Sequence, residues 1–272
     1  MTVAQQSAQH PVQQLPAPTT AQLEALATTE HLLVVSDFDG TLAGFNRDVM
    51  DVPITQKSID ALRDLAHLPN TTVGILSGRQ LKDLYELCEL RDPVILAGSH
   101  GAEVTYNDSL DLTDEQRATY QRLQTRLQEL ADSEEGIFLE VKPSHLVIHT
   151  VKIVDAEPER ARAVEQKAMQ IRHEEFADQE IAMLHGKNIV EFSLIDMDKG
   201  KRLAEMIERF HATAAVYLGD DVTDEDAFQA LRPQDLGIKV GDGDTVASTR
   251  VHTLDDVAEV LSDIATRRAA HR

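Results

Sequence analysis

Tryptophan is absent from this chain, aromatic residues make up only 4% of it, and cysteine occurs once. So few aromatics speak against a platform on which nucleobases or polysaccharide would stack. The single Cys88 excludes an internal disulfide. It lies in Leu84-Tyr85-Glu86-Leu87-Cys88, which reads as the apolar side of a helix, where a buried thiol behaves as a small hydrophobe. Without a disulfide framework the chain suits a reducing compartment. Long apolar runs are missing as well: nowhere do 18 apolar residues stand together, so no membrane span is expected. The opening stretch, Met1 to Thr20, is polar and rich in Gln and Pro, with no basic start and no apolar stretch. It does not read as a signal peptide, and Met1 to about Pro18 is expected to be a flexible tail, with the cytoplasm as the expected location. Positive charge is also short, with 26 Lys and Arg against 47 Asp and Glu and a net charge of −21. Such a surface repels nucleic acid and anionic membranes, so neither is an expected partner. It does not oppose a phosphorylated substrate, because a bound divalent cation and a few placed basic side chains set the potential inside a site.

What is present is a chain of 272 residues, 42% hydrophobic, long enough for one large domain or for a domain carrying a smaller inserted one. Short apolar runs end abruptly in polar or glycine-containing turns: Leu32 to Val35, Thr72 to Leu76, Val94 to Ala97, Ala214 to Leu218 and Leu236 to Val240. Continuous rather than alternating hydrophobicity indicates strands covered on both faces, as in a parallel sheet. Amphipathic helices separate them: Ile59, Leu62, Leu65 and Ala66 share one face, as do Leu203, Met206, Ile207 and Phe210. The alternation predicts an α/β domain with a Rossmann-like parallel-sheet core, whose ligands bind beyond the carboxyl ends of the strands. From about Tyr106 the rhythm breaks. Tyr120, Leu123, Leu127 and Leu130, and later Val164, Ala168 and Ile171, stand at helical spacing. Between them two strand-like runs, Ile137 to Val141 and Leu146 to His149, flank Lys142-Pro143-Ser144-His145, which predicts a hairpin. The expected organisation is therefore a tail over 1–20, core over 21–105, an inserted α+β cap over 106–194, and core again over 195–272.

The chemistry gathers at the strand ends. In Val34-Val35-Ser36-Asp37-Phe38-Asp39-Gly40-Thr41 the two acids stand two residues apart, which projects both carboxylates to one side. There Asp37 can attack phosphorus while Asp39 gives a proton to the leaving oxygen and later takes one from water, so that hydrolysis proceeds through an acyl phosphate. Gly40 and Thr41 offer backbone N–H groups to the phosphoryl oxygens. At another strand end, Gly219-Asp220-Asp221-Val222-Thr223-Asp224-Glu225-Asp226 places five acids within seven residues, a density that calls for a cation. Mg²⁺ suits it, since that ion takes one or two carboxylates and fills its shell with water and phosphate. Asp220, directly after the strand, is the expected ligand beside Asp37, with Asp221 and Asp224 positioning its waters. Thr223 and Asp226 resemble a capping box, so Glu225 and Asp226 receive no catalytic role. Ser77-Gly78-Arg79 follows a third strand, where a hydroxyl and the N–H groups of a helix start can hold a phosphoryl oxygen. Lys199 opens the helix after the insertion, where its charge would offset repulsion between phosphate and Asp37.

This set, Asp37-x-Asp39-x-Thr41, then Ser77, Lys199 and Gly219-Asp220-Asp221-x-x-Asp224, resembles the haloacid dehalogenase superfamily of aspartate-nucleophile phosphatases. The resemblance implies a Rossmann-like core, an inserted cap, and Mg²⁺ held by Asp37, the backbone carbonyl of Asp39, and Asp220. Gly98-Ser99-His100-Gly101-Ala102-Glu103, Gly186-Lys187-Asn188-Ile189-Val190-Glu191 and the acid-rich turn look like trehalose-6-phosphate phosphatases, over about Leu32 to Val260. Carried over, Glu103, Lys142, Lys187 and Glu191 become contacts to sugar hydroxyls. The same resemblance implies a small-molecule sugar phosphate as partner and a functional link to a trehalose-6-phosphate synthase. Two departures stand out: Val151 where the family often has Arg, and Ser193-Leu194 where it often has Arg-Pro. The same core would serve a phosphatase of sucrose 6-phosphate or of a mannosyl phosphoglycerate. A phosphoryl-accepting receiver module is disfavoured by Asp39 and by the insertion. A His-bound metallohydrolase is disfavoured because the eleven histidines show no ligand spacing.

Overall fold

In a computed structural model of the chain, residues 15–106, 112–142, 145–195 and 197–271 are described. The elements begin with α1 (Thr20–Thr28), β1 (Leu32–Ser36), α2 (Gln56–Ala66), β2 (Thr71–Leu76), α3 (Leu81–Cys88), β3 (Ile95–Gly98) and β4 (Glu103–Val104). There follow α4 (Asp114–Asp132), β5 (Phe138–Val141), β6 (His145–His149), α5 (Pro158–Glu175), β7 (Ala182–Gly186) and β8 (Ile189–Ser193). The chain then runs through α6 (Lys199–Arg209), β9 (Ala214–Gly219), α7 (Asp224–Ala230), β10 (Leu236–Val240), β11 (Thr249–Val251) and α8 (Leu254–Ala270). It divides into two compact units, one of residues 1–77, 85–96 and 199–272, the other of 78–84 and 97–198.

The first unit is an α/β fold whose strands lie in the order β11-β10-β9-β1-β2-β3. The pairs β1–β2, β1–β9, β9–β10 and β10–β11 are parallel. Leu32, Leu33, Val34 and Val35 of β1 are wholly buried, as a strand flanked by helices on both faces must be. Each such aliphatic side chain contributes roughly 1.5–3 kcal/mol through burial. The face of α2 predicted from spacing packs inward, with Ile59, Leu62, Leu65 and Ala66 buried. Cys88, at the end of α3, is buried and its thiol is pushed up by that burial, in keeping with packing. From β1 the chain winds outward to β2 and β3, then returns to place β9 on the other side of β1 and winds outward again. The strand order therefore reverses between β1 and β9, and in such sheets the crevice at the carboxyl ends beside the reversal is where ligands bind.

Arg268 of α8 is a second buried organiser of this unit. It donates to the carbonyls of Ala27, Thr29 and Asn70 and to Thr71 Oγ1, closing the end of α1 and the entry to β2. The flexible tail expected at the N-terminus falls mainly on residues 1–14, which lie outside the described residues. The expectation ran too far, however: the Pro16 carbonyl accepts from Arg250 N at 3.0 Å, and α1 starts at Thr20 with a reciprocal capping box between Thr19 and Gln22.

In the second unit, β3 continues into an antiparallel pairing with β4, and a separate antiparallel sheet runs β5-β6-β8-β7. Leu146, Ile148, Val190 and Phe192 point from this sheet into an apolar core with Leu123 and Leu127 of α4 and Val164 and Ala168 of α5. The predicted hairpin is present, closed by Lys142 N donating to His145 O, although Pro143 and Ser144 lie outside the described residues. This unit is larger than the expected insertion over 106–194. Gln80 donates to Glu140, Leu81 N donates to Glu103 and Ser99 N donates to Arg79 O, which draws 78–84 into it through polar contacts that hydrophobic periodicity does not register. Leu62→Ala is expected to lower the stability of the first unit by about 2–5 kcal/mol in chemical denaturation, because the vacated volume faces a fully packed sheet.

Candidate active site

The parallel ladder continues one residue beyond β1, where Asp37 N donates to Leu218 O at 2.8 Å. That bond sets Asp37 beside the end of β9. The chain then turns sharply: Phe38 O accepts from Leu42 N and Ala43 N, and Gly40 N donates to Ala43 O at 2.7 Å. Phe38 fills the core while Asp37 is buried and Asp39 half-buried. Gly40 has φ +78°, and a Cβ there would lie 2.0 Å from Asp220 Oδ2. Glycine is thus required both by the backbone and by the approach of the Asp220 carboxylate.

The same device recurs at the end of β9. A Cβ on Gly219 would sit 2.3 Å from Asp224 Cγ, so the absent side chain makes room for Asp224 to fold back. Asp224 is wholly buried. Its Oδ1 accepts from Lys199 Nζ at 2.7 Å and from Tyr217 Oη at 2.6 Å, and its Oδ2 accepts from Asp221 N at 2.9 Å. Lys199, in the first turn of α6 and 3% exposed, also donates to Asp37 Oδ1 at 2.7 Å. Carboxylate oxygens of Asp37, Asp220 and Asp224 lie within 4.8 Å of one another.

Burial pushes the Asp37 carboxyl up; the Lys199 ammonium opposes this, and the charges of Asp224 and Asp220 reinforce it. Asp220 is pushed up to about 6, first by burial and then by Asp224 and Asp221. Burial alone would lower Lys199, but the carboxylates of Asp37 and Asp224 outweigh it and hold the ammonium charged. Three carboxylates around one ammonium leave an excess of negative charge in a buried place. Asp220 Oδ1 is buried with no hydrogen-bond partner among the described residues, although it belongs to this group. A hard divalent cation fits that donor set, since oxygen ligands are its preference and its charge balances the excess.

Ser77 is buried at the end of β2. β2 pairs with β1 in the register Ser36↔Ile75, so Ser77 leaves the sheet at the rim where Asp37 does. Thr41 is also buried there, and its Oγ1 has no hydrogen-bond partner among the described residues. Of the five acids after β9, the structure takes Asp220 and Asp224 into the group. Asp221 is exposed and stands outside it. The capping box expected for Thr223 and Asp226 is not formed. Thr223 makes no side-chain cap bond because its backbone is already helical, φ −67° and ψ −17°, whereas a capping hydroxyl needs an extended residue. Glu225 turns instead to Val246 N and Thr245 Oγ1.

The second unit carries its own polar group. The register Val147↔Glu191 and Glu140↔Val147 sets Glu140 and Glu191 on the sheet face opposite the apolar core. Lys142 Nζ lies 3.8 Å from Glu191 Oε1, and His145 Nε2 lies 4.0 Å from the same atom. Glu191 Oε1 is buried without a hydrogen bond among the described residues, and burial pushes that carboxyl up. Glu140 accepts from His149 at 2.9 Å and Gln80 at 3.1 Å, and the His149 bond draws it down to about 2. Burial, aided by the charge of Lys142, lowers His145 to about 4. Glu103 Oε2 accepts from Ser99 Oγ at 2.6 Å and Leu81 N at 3.2 Å. Lys187 does not join Lys142 and Glu191: it is exposed on the β7–β8 turn, at the end of the sheet where His149 pairs with Ile189, whereas Lys142 stands where His145 pairs with Ser193. Gly78 abuts the His100 ring, with 2.8 Å from a built Cβ to Cε1, and Arg79 O receives the Ser99 N–H.

Several polar residues of these groups were not among those the sequence singled out: Tyr217, Lys239, Gln80, Glu140, His145 and His149. Tyr217 and Lys239 sit inside apolar runs and read as strand residues. For Lys239 a signal existed, since an ammonium in a covered strand must find acceptors. Glu140 and His149 became neighbours only through strand pairing.

Residues 35–259 match the family described as trehalose-phosphatase. The trehalose-phosphate phosphatase of Mycobacterium ulcerans is 30% identical over 249 residues, covering 86% of this chain and 61% of that protein. The Mycobacterium leprae enzyme of the same name is 32% identical over 240 residues, covering 79% and 52%. The chain thus spans about half to three fifths of the length of these curated relatives. Among solved structures, Aspergillus fumigatus trehalose-6-phosphate phosphatase superposes with a TM-score of 0.71 at 23% identity, covering 93% of this chain and 99% of that one, a likeness of fold. With the family match running over residues 35–259 and the strand-end carboxylates in place, this chain belongs to the trehalose-phosphatase family.

Proposed function

We propose that the chain hydrolyses trehalose 6-phosphate to trehalose and phosphate, with Asp37 as nucleophile. The observation that carries this reading is the grouping of the Asp37, Asp220 and Asp224 carboxylates at the rim where the strand order reverses, with Lys199 bridging Asp37 and Asp224. A carboxylate so held is aimed and desolvated, and a desolvated carboxylate is a stronger nucleophile than one in water. Asp37 attacks phosphorus as Asp39, two residues on and half-buried, protonates the departing sugar oxygen. Asp39 then takes the proton of a water that attacks the acyl phosphate, which releases phosphate and restores Asp37. Ser77 and the N–H groups of Gly40 and Thr41 hold the phosphoryl oxygens, and the Ser77-Gly78-Arg79 motif is what supports Gly78 and Arg79 as further donors. Lys199 keeps Asp37 in place and offsets the approach of the anionic substrate.

Asp37, the Asp39 carbonyl and Asp220 are the residues that would hold Mg²⁺, which supplies charge stabilisation at the transferring phosphoryl group. Asp224 has both oxygens engaged by Lys199, Tyr217 and Asp221 N, which suits it to orienting Lys199. The family match and the Lys142, Glu191, Glu140 and His149 group on the inserted unit support a sugar headgroup, because charged groups answer hydroxyls that both donate and accept. Glu103 is placed less openly, and Lys187 belongs to this reading only as a residue of the family motif. Such an enzyme consumes what a trehalose-6-phosphate synthase makes, so the two act in sequence; the single cysteine supports a reducing compartment such as the cytoplasm for it. No described helix is long and apolar enough to cross a membrane.

Asp37→Asn is expected to abolish phosphate release, and Asp39→Asn to slow it about 10²–10⁴-fold. Near-normal turnover by either variant in a phosphate-release assay would refute its role. Chelation of divalent ions is expected to stop the reaction and added Mg²⁺ to restore it, which activity before and after EDTA treatment checks. Across a panel of sugar phosphates, trehalose 6-phosphate is expected to give the highest kcat/KM, with Glu191→Gln raising KM for it more than for an aryl phosphate. Equal kcat/KM for trehalose 6-phosphate and the aryl phosphate would leave the phosphatase standing and remove the sugar assignment.

A further inference from the structure

Lys239 is the one residue of β10 that carries charge, and it is 3% exposed. The strand around it, Leu236 to Val240, is wholly buried, so its ammonium has left water and needs acceptors close by. It finds them at the neighbouring strand end. The register Lys239↔Gly219 brings its stem alongside the last residue of β9, and Nζ donates to Asp220 O at 2.6 Å and reaches Asp221 O at 3.4 Å. On its other side stands Glu225, 3.6 Å away. Glu225 Oε1 is buried without a hydrogen bond among the described residues, while Glu225 Oε2 accepts from Val246 N and Thr245 Oγ1 in the loop after β10. One buried cation therefore joins the backbone of the acid-rich turn to the first turn of α7, and through Glu225 to the next loop.

We propose that Lys239 is a positioning residue for the metal site: by gripping the Asp220 and Asp221 carbonyls it fixes the turn from which the Asp220 carboxylate is presented. This rests on the reading of Asp37 and Asp220 as cation ligands. Two physical roles are open to a buried Lys beside five acids, and they have opposite signs. If Lys239 served only to dilute negative charge, deleting it would leave the site more negative and Mg²⁺ would bind more tightly. If it fixes the turn, deleting it releases the Asp220 backbone, the ligand loses its preset orientation, and Mg²⁺ binds more weakly despite the more favourable charge. Gly40 leaves the Asp220 carboxylate a close fit, since even a methyl group there would collide with it, so a small displacement of the turn disturbs ligand placement. The carbonyl contacts favour the second role: they are directed hydrogen bonds to backbone, whereas a diluting charge needs none.

The test is direct Mg²⁺ binding to the full chain by titration calorimetry, with the Mg²⁺-dependent rise in melting temperature as a second readout. Lys239→Met is expected to raise the Mg²⁺ dissociation constant about tenfold, in the range that outer contacts to metal ligands usually command. Lys239→Arg, which keeps donors and charge, is expected to recover most of the affinity. Because Lys239→Met leaves the buried Glu225 Oε1 without its counter-charge, the paired variant Lys239→Met with Glu225→Gln serves where the single one does not fold, with the same expected loss. Unchanged or tighter Mg²⁺ binding by the Met variants overturns the positioning role. Failure of the wild-type chain itself to bind Mg²⁺ overturns the metal site on which the proposal stands, an outcome separate from the first.

Discussion

Lys199 carries its ammonium to a place almost closed to water, where it donates 2.7 Å bonds to both Asp37 and Asp224. An ion taken out of water loses several kcal/mol of hydration, and only close, well-directed partners restore it. The two carboxylates need the ammonium for the same reason, so none of the three can move alone. Everything else at this rim arranges itself around that bridge. Tyr217 donates the further hydrogen bond that holds Asp224, and burial followed by the charge of Asp224 keeps its phenol protonated. Asp220 completes the group yet receives no hydrogen bond at Oδ1 from the described residues, which is where the charge balance remains open.

The bridge depends in turn on where glycine stands. Gly40 and Gly219 each vacate the volume into which a carboxylate folds, Asp220 in one case and Asp224 in the other. These are spatial requirements set by close approach across two strand ends. They show why the paired acid motifs of β1 and β9 work as one unit: each motif supplies the space that the other motif, or its own returning side chain, occupies.

The inserted unit solves a different problem. One face of its antiparallel sheet packs against α4 and α5 through Leu146, Ile148, Val190 and Phe192. The other carries Glu140 and Glu191, which strand pairing sets in one row with Val147 between them. Alternation along a strand makes this division automatic. Lys142 and His145 share Glu191, whereas His149 and Gln80 take Glu140. These residues come from three separate stretches of sequence, Gln80, the hairpin from Glu140 to His149, and Glu191, and Gln80 precedes the expected insertion altogether.

The parallel core was legible because continuous apolar runs such as Leu32 to Val35 and Ala214 to Leu218 can be satisfied only by strands covered on both faces. The helices of both units were legible from spacing, Asp37, Ser77 and Asp220 from their positions directly after strands, and Lys199 from its place at the opening of the helix after the insertion. These are local properties, fixed by backbone period and solvation, so the order of residues alone determines them. Strand order is not local: which strand neighbours β1 depends on how the chain packs its helices. The role of Asp224, first read as an organiser of waters, depended on that order, as did the carbonyl contacts of Lys239 and the separation of Lys187 from Lys142. The tertiary structure decided these, because hydrogen bonds and buried charges are settled by distances between residues far apart in the chain.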